Sequence, residues 1–199
     1  MPKREIERAI AERSILTWAY KYRKIRTGGD WKPYNIGDYP FLKGIFHALQ
    51  DPETDRVVLQ KGTQIGATEA AITSAFYFLD VEAENVLYML PNQGQLGDFA
   101  HSRLDKTIEK SPYLDRLFND ISNVGLKVSS RGSFYLRGAN SSQQLEEFPA
   151  GFVIRDELSR MDQSNANLAL KRLGSSENSW VLDLGHPTYE GDAISSEFA

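Results

Sequence analysis

A loop with two glycines separates a β-branched apolar run from a helical pattern and has the composition of a phosphate-binding site. The strand is predicted at Val57 to Leu59 and the helix at Ala67 to Leu79. Gly62 and Gly66 let the backbone curl so that successive N–H groups point inward, and the positive end of the helix adds attraction for phosphate. The predicted nucleotide-binding loop residues are Lys61, Gly62, Thr63, Gln64, Ile65, Gly66, Ala67 and Thr68.

The loop departs twice from the usual pattern G-x-x-x-x-G-K-[ST], in which the lysine reaches the β- and γ-phosphates. Ala67 stands in the lysine position and Lys61 in the position of the first glycine. Lys61 lies at the opposite lip of the loop, and its flexible stem could carry the ammonium across to the phosphates. Thr68 could offer its hydroxyl to Mg²⁺. Taken alone, the loop is also compatible with an ordinary strand-to-helix turn.

Two carboxylates follow a second apolar run, Gly151 to Ile154. Asp156 would lie at the carboxyl end of a parallel strand beside the loop, where it is predicted to hold Mg²⁺. Glu157 is predicted to orient or deprotonate the water that attacks ATP. In isolation such a pair is often only a solvated strand end. Its position roughly 90 residues after the loop makes the catalytic interpretation more specific.

A third strand, Trp180 to Leu184, runs into a polar tip at the same predicted edge of the sheet. Open α/β sheets bind ligands at this edge. His186 and Thr188, with Pro187 between them, are therefore predicted to sense the γ-phosphate and to couple hydrolysis to movement. A plain turn after the strand is the alternative.

These three tips require parallel strands that end side by side. From Arg56 onwards the sequence alternates strands and helices, which is typical of βαβ units. The further predicted elements are a helix at Phe41 to Leu49, a strand at Asn85 to Leu90, a helix ending near Lys110, and a hairpin of Leu126 to Val128 with Ser133 to Leu136. No internal repeat or heptad series is present, so solenoids and coiled coils are excluded. We expect a three-layer α/β fold with a mostly parallel central sheet.

The composition is that of one globular domain. The chain has 199 residues, of which 41% are hydrophobic, and this is enough to bury a core. It has no cysteine, which excludes disulfides and thiolate zinc sites and leaves Mg²⁺ on oxygen ligands open. Neither a bilayer-spanning apolar run nor a signal peptide is recognisable, so we expect a soluble, intracellular protein without membrane contact.

Positive charge is concentrated at the N-terminus, although the net charge is −4. Residues 1–26 carry eight Lys and Arg against three Glu. Apolar residues recur loosely at helical spacing at Ile6, Ile10, Leu16 and Trp18. The pattern ends at Thr27-Gly28-Gly29, which predicts a flexible joint. We therefore expect a basic helical arm over residues 1–30 and a domain over 31–199. The arm could bind DNA phosphates or an acidic partner, and a solvated helix face is the alternative.

In this order and with these neighbours, the three motifs resemble the terminase large subunits of tailed phages, most closely the lambda-like GpA group. The matching segments are Pro33-Tyr34, Leu49 to Pro52, Arg56 to Lys61, Gln64 to Glu69, Pro91 with Phe99 and Arg103-Leu104, Gly138 to Ser141, Asp156-Glu157 and Pro187 to Gly191. The resemblance covers residues 31–191. Some members of that group carry their working lysine at the start of the loop, as Lys61 does.

The resemblance implies an additional-strand P-loop ATPase that uses ATP and Mg²⁺ to pump double-stranded DNA. It implies a homo-oligomeric ring on the portal protein of a procapsid, a small terminase subunit as partner, and a location in the host cytoplasm. A monomer is the alternative for the isolated domain. It also implies that Trp31 and Tyr34 stack near the adenine, with a core or surface role as the alternative.

Two departures from the family pattern stand out. Many relatives have an arginine about ten residues before the acidic pair that reaches a neighbouring subunit, whereas this chain has Leu145-Glu146-Glu147 there. Arg131, Arg137 and Arg155 are candidates for this role by their position near the site edge, and ordinary surface cations are the alternative. The family also continues into a nuclease domain, which this chain lacks, so we expect an ATPase fragment without nuclease activity.

Three rival functions differ in features that can be looked for. A helicase or recombination motor would carry further helicase motifs and a second motor domain. A portal-binding or scaffolding module with a degenerate loop would not bind Mg·ATP, and Ala67 in the lysine position favours this rival. A small-molecule kinase would need an acceptor pocket and lid arginines, which the sequence does not reveal.

Overall fold

The structure is a computed structural model. It describes residues 13–37, 39–118, 122–145, 149–173, 179–188 and 192–198. Most of the predicted basic arm, including Lys3, Arg4 and Arg8, lies outside the described residues.

The described part of the N-terminal region packs against the domain as a helix and a hairpin. In helix α1 (Ile15–Tyr22), Trp18 is fully buried and its indole N–H donates to Asp80 at 2.9 Å. Strands β1 (Lys24–Thr27) and β2 (Asp30–Pro33) form a small antiparallel sheet. Helix α1 is thus part of the domain core, while the predicted boundary at residue 30 stays a prediction.

The predicted flexible joint at Thr27-Gly28-Gly29 is wrong, because these residues form a tight hairpin turn. Thr27 pairs with Asp30 across the turn, and Gly28 and Gly29 have φ angles of 61° and 93°. Positive φ at both central residues matches the twist of a two-residue hairpin and favours glycine. Strand β2 has the sequence Asp-Trp-Lys-Pro, which gives no apolar alternation from which the hairpin could be predicted.

A seven-stranded sheet forms the centre of the domain. After helix α2 (Leu42–Leu49) its strands are β3 (Arg56–Gln60), β4 (Val86–Leu90), β5 (Ser122–Asn123), β6 (Leu126–Val128), β7 (Ser133–Gly138), β8 (Phe152–Asp156) and β9 (Trp180–Gly185). Their order is β3-β9-β8-β4-β7-β6-β5, and only β6 and β5 join antiparallel. Strand β9 lies between β3, which leads into the loop, and β8, which ends at the acidic pair. This is the position of the additional strand in the predicted fold class.

Helices cover both faces of this sheet and give three layers. They are α3 (Ala67–Asp80), α4 (Leu96–Phe99), α5 (Lys106–Lys110), α6 (Pro112–Leu117), α7 (Gln163–Leu170) and α8 (Ala193–Phe198). Alternate residues of β4 enter two different cores: Tyr88 packs on the side of α1, α2 and α3, whereas Leu87 and Met89 pack on the side of α7 and α8. All five residues of β4 are buried, as expected for a central parallel strand. The predicted three-layer, mostly parallel fold is confirmed.

The helical segment after β4 has an irregular centre. Helix α4 continues through a π-helical stretch, Ala100–Asp105, into α5, which ends at Lys110 as predicted. The predicted hairpin of β6 with β7 is confirmed. Among the described residues, none of the helices is both long enough and apolar enough to cross a membrane.

Candidate functional site

The three predicted strand tips lie side by side at one edge of the sheet. Strands β3, β9 and β8 are adjacent and parallel, so their carboxyl ends meet. The N–H of Lys61 donates to the carbonyl of Gly185 at 2.9 Å, which ties the start of the loop to the end of β9. The topology therefore brings Lys61, the Asp156-Glu157 pair and His186 together at the edge where such sheets bind ligands.

The loop depends on an unusual backbone conformation at Gly66. Gly66 caps helix α3 with a φ of 77°, in the left-handed region that favours glycine. A Cβ atom at this position would lie 3.2 Å from Cδ1 of Leu42 and 3.6 Å from the ring of Tyr39. At Gly62 a Cβ atom would meet only a side-chain atom of Ile65, at 3.9 Å, and φ is not positive. Gly66, unlike Gly62, is therefore required by the fold of the loop.

Gly66→Ala is expected to lower the free energy of unfolding by about 1–3 kcal/mol, because alanine in the left-handed region is strained. Gly62→Ala is the matched control and should change the free energy of unfolding by less than about 0.5 kcal/mol. Urea denaturation of both variants measures the difference. Equal stability of the two variants would contradict this account of the loop.

The ammonium of Lys61 lies between the two predicted catalytic carboxylates. Its Nζ is 3.2 Å from Oδ1 of Asp156 and 2.8 Å from Oε1 of Glu157, and the residue is only 8% exposed. Burial alone would lower the pKa of Lys61, but the charge of Asp156 and the hydrogen bond to Glu157 outweigh it, so the pKa is raised. The lysine is therefore fully charged at neutral pH and bridges the loop to the acidic pair.

Asp156 is held from a second side by two hydroxyl groups. Its Oδ2 accepts hydrogen bonds from Oγ1 of Thr68 at 2.9 Å and from the phenol of Tyr88 at 2.8 Å. Burial, and then the charge of Asp156, raises the pKa of Tyr88 well above its ordinary value, so the phenol is a permanent donor here. The hydroxyl of Thr68 and the carboxylate of Asp156 are hard oxygen ligands close enough to share one ion, and this donor set fits Mg²⁺ completed by phosphate and water.

Glu157 has a strained backbone. Its φ and ψ are 65° and 46°, a left-handed conformation that costs a non-glycine residue about 1–3 kcal/mol. Nε2 of His186 lies 3.5 Å from Oε1 of Glu157, the same oxygen that contacts Lys61. The conformation therefore turns the Glu157 carboxylate towards both Lys61 and His186.

The predicted coupling segment divides between two partners. His186 faces Glu157, and its carbonyl accepts a hydrogen bond from the hydroxyl of Ser159 at 2.8 Å. Thr188 instead donates its N–H and its hydroxyl, the latter at 2.8 Å, to Oδ2 of Asp192 just before α8. The hydrogen bond from the N–H of Thr188 is the main cause that holds the pKa of Asp192 well below its ordinary value. The segment thus connects Glu157 to helix α8, with Pro187 between the two contacts.

The two predicted adenine-stacking rings lie away from the carboxylates. Tyr34 is 3% exposed, and the guanidinium of Arg23 is 5.1 Å from the centre of its ring. Arg23 in turn donates to the side chains of Glu69 and Thr73 on α3. Tyr34 is therefore a core residue in this conformation, whereas Trp31 on β2 is half-buried. Their contact with adenine stays a prediction.

Arg155 is not a surface cation, contrary to the alternative raised for it. It is fully buried, and its guanidinium donates to both carboxylate oxygens of Asp183, at 2.6 and 2.7 Å. Arg56 donates to the same carboxylate at 2.7 Å. In this conformation Arg155 cannot reach a neighbouring subunit, because its side chain joins β8 to β9 inside the domain.

The other two candidate arginines lie at different ends of the domain. Arg131 donates to the carbonyl of Asp80 at 2.9 Å, at the end of α3 that is far from the loop, so its predicted position near the site edge is wrong. Arg137 lies near the carboxyl end of β7, with its guanidinium 5.5 Å from the centre of the Tyr135 ring. The counterpart segment with Glu146 and Glu147 lies outside the described residues.

Tyr88 and Asp192 were not predicted from the sequence as site residues. A tyrosine inside an otherwise apolar strand is a usable signal, because a buried phenol needs a hydrogen-bond partner. The sequence does not reveal which partner, since this depends on the pairing of β4 with β8. Asp192 has no comparable signal, because its contact with Thr188 arises from a local turn.

The comparisons with known proteins agree with this geometry. The sequence matches the family model for the phage terminase large subunit gpA, ATPase domain, over residues 28–198. No curated protein sequence matches the chain.

Solved structures of similar fold are large terminases. The chain is similar to the HK97 bacteriophage large terminase, with a TM-score of 0.76 and 15% identity over 92% of this chain and 40% of that one. It is similar to the Thermus phage P74-26 large terminase ATPase domain, with a TM-score of 0.57 and 18% identity over 78% of this chain and 65% of that one. A large terminase from a thermophilic bacteriophage gives a TM-score of 0.51 and 14% identity over 73% and 37%. At these identities the likeness concerns the fold, and the chain spans 40% of the HK97 protein.

Proposed function

We propose, because this chain belongs to the gpA ATPase-domain family of phage terminase large subunits, that it is the ATP-hydrolysing motor domain of a viral DNA-packaging machine. The observation that carries the proposal is the ammonium of Lys61 at 3.2 and 2.8 Å from the carboxylates of Asp156 and Glu157. A lysine at the start of the loop thereby reaches the centre of the site, where the usual pattern places a lysine from the end of the loop.

ATP would bind with its phosphates on the loop Gly62–Thr68. The backbone N–H groups of the loop and the first turn of α3 provide the donors and the positive helix end that phosphate requires. Lys61 would leave the carboxylates for the β- and γ-phosphates, because their negative charge competes with that of Asp156 and Glu157 for the same ammonium. Trp31 and Tyr34 are proposed to lie near the base.

Thr68 and Asp156 would hold Mg²⁺. The ion supplies charge neutralisation to the phosphates during transfer to water. The departure of Lys61 would free one oxygen of Asp156 and the Oε1 of Glu157 at the same moment.

Glu157 is the proposed base that orients or deprotonates the attacking water. Its carboxylate is neutralised by Lys61 in this structure, so ATP binding would both supply the substrate and release the base. His186, 3.5 Å from Glu157, is proposed to respond to this change. Because Thr188 is bonded to Asp192, a shift of the segment His186 to Thr188 would be transmitted to helix α8.

The wider assembly follows from the family and is proposed on that ground. The domain would act as a homo-oligomeric ring on the portal of a procapsid in the host cytoplasm, with the small terminase subunit and double-stranded DNA as partners. Weak DNA contacts from each acidic subunit would add up in the ring. Of the arginines considered, Arg137 is the one retained as a candidate that acts on a neighbouring site.

The test is a packaging reaction with this chain, the small terminase subunit, portal-bearing procapsids, linear double-stranded DNA and Mg·ATP. We expect DNase-resistant DNA to accumulate with ATP and not with a non-hydrolysable analogue, and phosphate release to rise when DNA and procapsids are both present. Equal protection of DNA with the analogue, or procapsid binding without any nucleotide binding, would favour a scaffolding module instead.

A further inference from the structure

The phenol of Tyr88 is directed at the carboxylate proposed to hold the metal. Its hydroxyl donates to Oδ2 of Asp156 at 2.8 Å, and the residue is 0% exposed. Tyr88 contacts neither the loop lysine nor Glu157 among the hydrogen bonds of the described residues. Any effect that it has on the reaction therefore passes through Asp156.

The strand register explains why this contact is fixed. Tyr88 on β4 pairs with Ile154 on β8, and Asp156 lies two residues further along, so all three side chains project from the same face. The ring of Tyr88 packs against Phe99 at 5.1 Å and against Phe134 at 6.0 Å between ring centres. A ring held in this way places its hydroxyl at one point, because its two side-chain torsions are locked by packing.

The two oxygens of Asp156 consequently have different surroundings. Oδ2 accepts from Tyr88 and from Thr68, whereas Oδ1 faces the ammonium of Lys61 at 3.2 Å. We propose, on the basis of the proposed function, that Tyr88 is a positioning residue that holds the Asp156 carboxylate in the orientation needed to bind Mg²⁺. When Thr68 and Lys61 turn to the metal and the phosphates, Tyr88 is the contact that remains on the carboxylate.

Metal affinity is the quantity that should respond. Partners that orient a metal-binding carboxylate typically contribute about 10- to 100-fold to metal affinity. A phenylalanine keeps the ring and its packing and removes only the donor. The loop that binds the phosphates is untouched, so the affinity for nucleotide without metal should not change.

The experiment compares Tyr88→Phe with Tyr113→Phe. Tyr113 donates to Asp80 at 2.8 Å at the far end of α3, so the control loses the same kind of bond away from the site. Mn²⁺ binding in the presence of a non-hydrolysable ATP analogue is followed by electron paramagnetic resonance, and analogue binding in EDTA by calorimetry. We expect the Mn²⁺ half-saturation concentration to rise about tenfold in Tyr88→Phe and less than about twofold in Tyr113→Phe, with analogue affinity in EDTA unchanged in both.

Each outcome bears on a definite claim. If the wild type binds Mn²⁺ with the analogue and Tyr88→Phe binds it equally well, the positioning role is overturned and the proposed function stands. If the wild type binds neither analogue nor Mn²⁺, the proposed function itself fails. Should Tyr88→Phe not fold, Phe99→Leu loosens the ring and keeps the hydroxyl, and an unchanged Mn²⁺ half-saturation there would also overturn the proposal.

Discussion

Glu157→Gln is expected to slow ATP hydrolysis by about 10²- to 10⁴-fold while ATP still binds, because the amide cannot accept a proton from the attacking water. The substitution preserves the shape of the side chain and the left-handed backbone at this position. The amide oxygen can still accept a hydrogen bond from the ammonium of Lys61, which lies 2.8 Å from Oε1. The loss is therefore confined to the chemical step.

Single-turnover hydrolysis of γ-labelled ATP measures this effect, with nucleotide binding measured in parallel. Glu53→Gln removes the same charge from an exposed residue outside the site and should leave the rate unchanged. A rate for Glu157→Gln within about twofold of the wild type would show that another group activates the water.

Lys61→Ala is expected to reduce both ATP affinity and hydrolysis by at least about tenfold, which corresponds to about 1.4 kcal/mol in each case. The reason is that Ala67 leaves the loop without the lysine that usually follows its last glycine. Lys43→Ala, a change at an exposed position on α2, is the matched control. Unchanged nucleotide affinity in Lys61→Ala would mean that the loop binds phosphate without this lysine, or that it does not bind phosphate.

The same variant has a signature in stability against pH. The pKa of Lys61 is raised above its ordinary value of 10.5, so its ion pairs stabilise the folded state fully below that value and are lost as pH rises through the folded-state pKa. Without nucleotide, wild type should exceed Lys61→Ala in stability at neutral pH, and the difference should shrink above pH 10.5. A difference that stays constant over this range would contradict the charged bridge to Asp156 and Glu157.

The central sheet could be predicted from the sequence because its strands are short apolar runs separated by helical patterns. Strands β3, β4, β8 and β9 were placed within one or two residues of their observed bounds, and the hairpin of β6 with β7 was recognised. The hairpin of β1 with β2 was not recognised, because its polar residues carry no strand pattern. Its glycine turn was therefore interpreted as a flexible joint.

The convergence of Lys61, Thr68, Asp156 and Glu157 was predictable because all of them follow strands or begin a helix at one edge of the sheet. Contacts set by lateral pairing could not be predicted in the same way. Arg155 is neutralised by Asp183 because β8 and β9 place these two residues opposite each other, and the sequence alone shows only an arginine beside two acids. Tyr88 meets Asp156 for the same kind of reason.

The measurement that tests the central claim most directly is phosphate release from ATP by the wild-type chain at high concentration, with Mg²⁺ and with EDTA. We predict turnover that requires Mg²⁺, alone or after addition of portal-bearing procapsids and double-stranded DNA. No turnover under any of these conditions, with Mg²⁺ and saturating ATP present, would contradict the account and would mean that the loop has a structural role only.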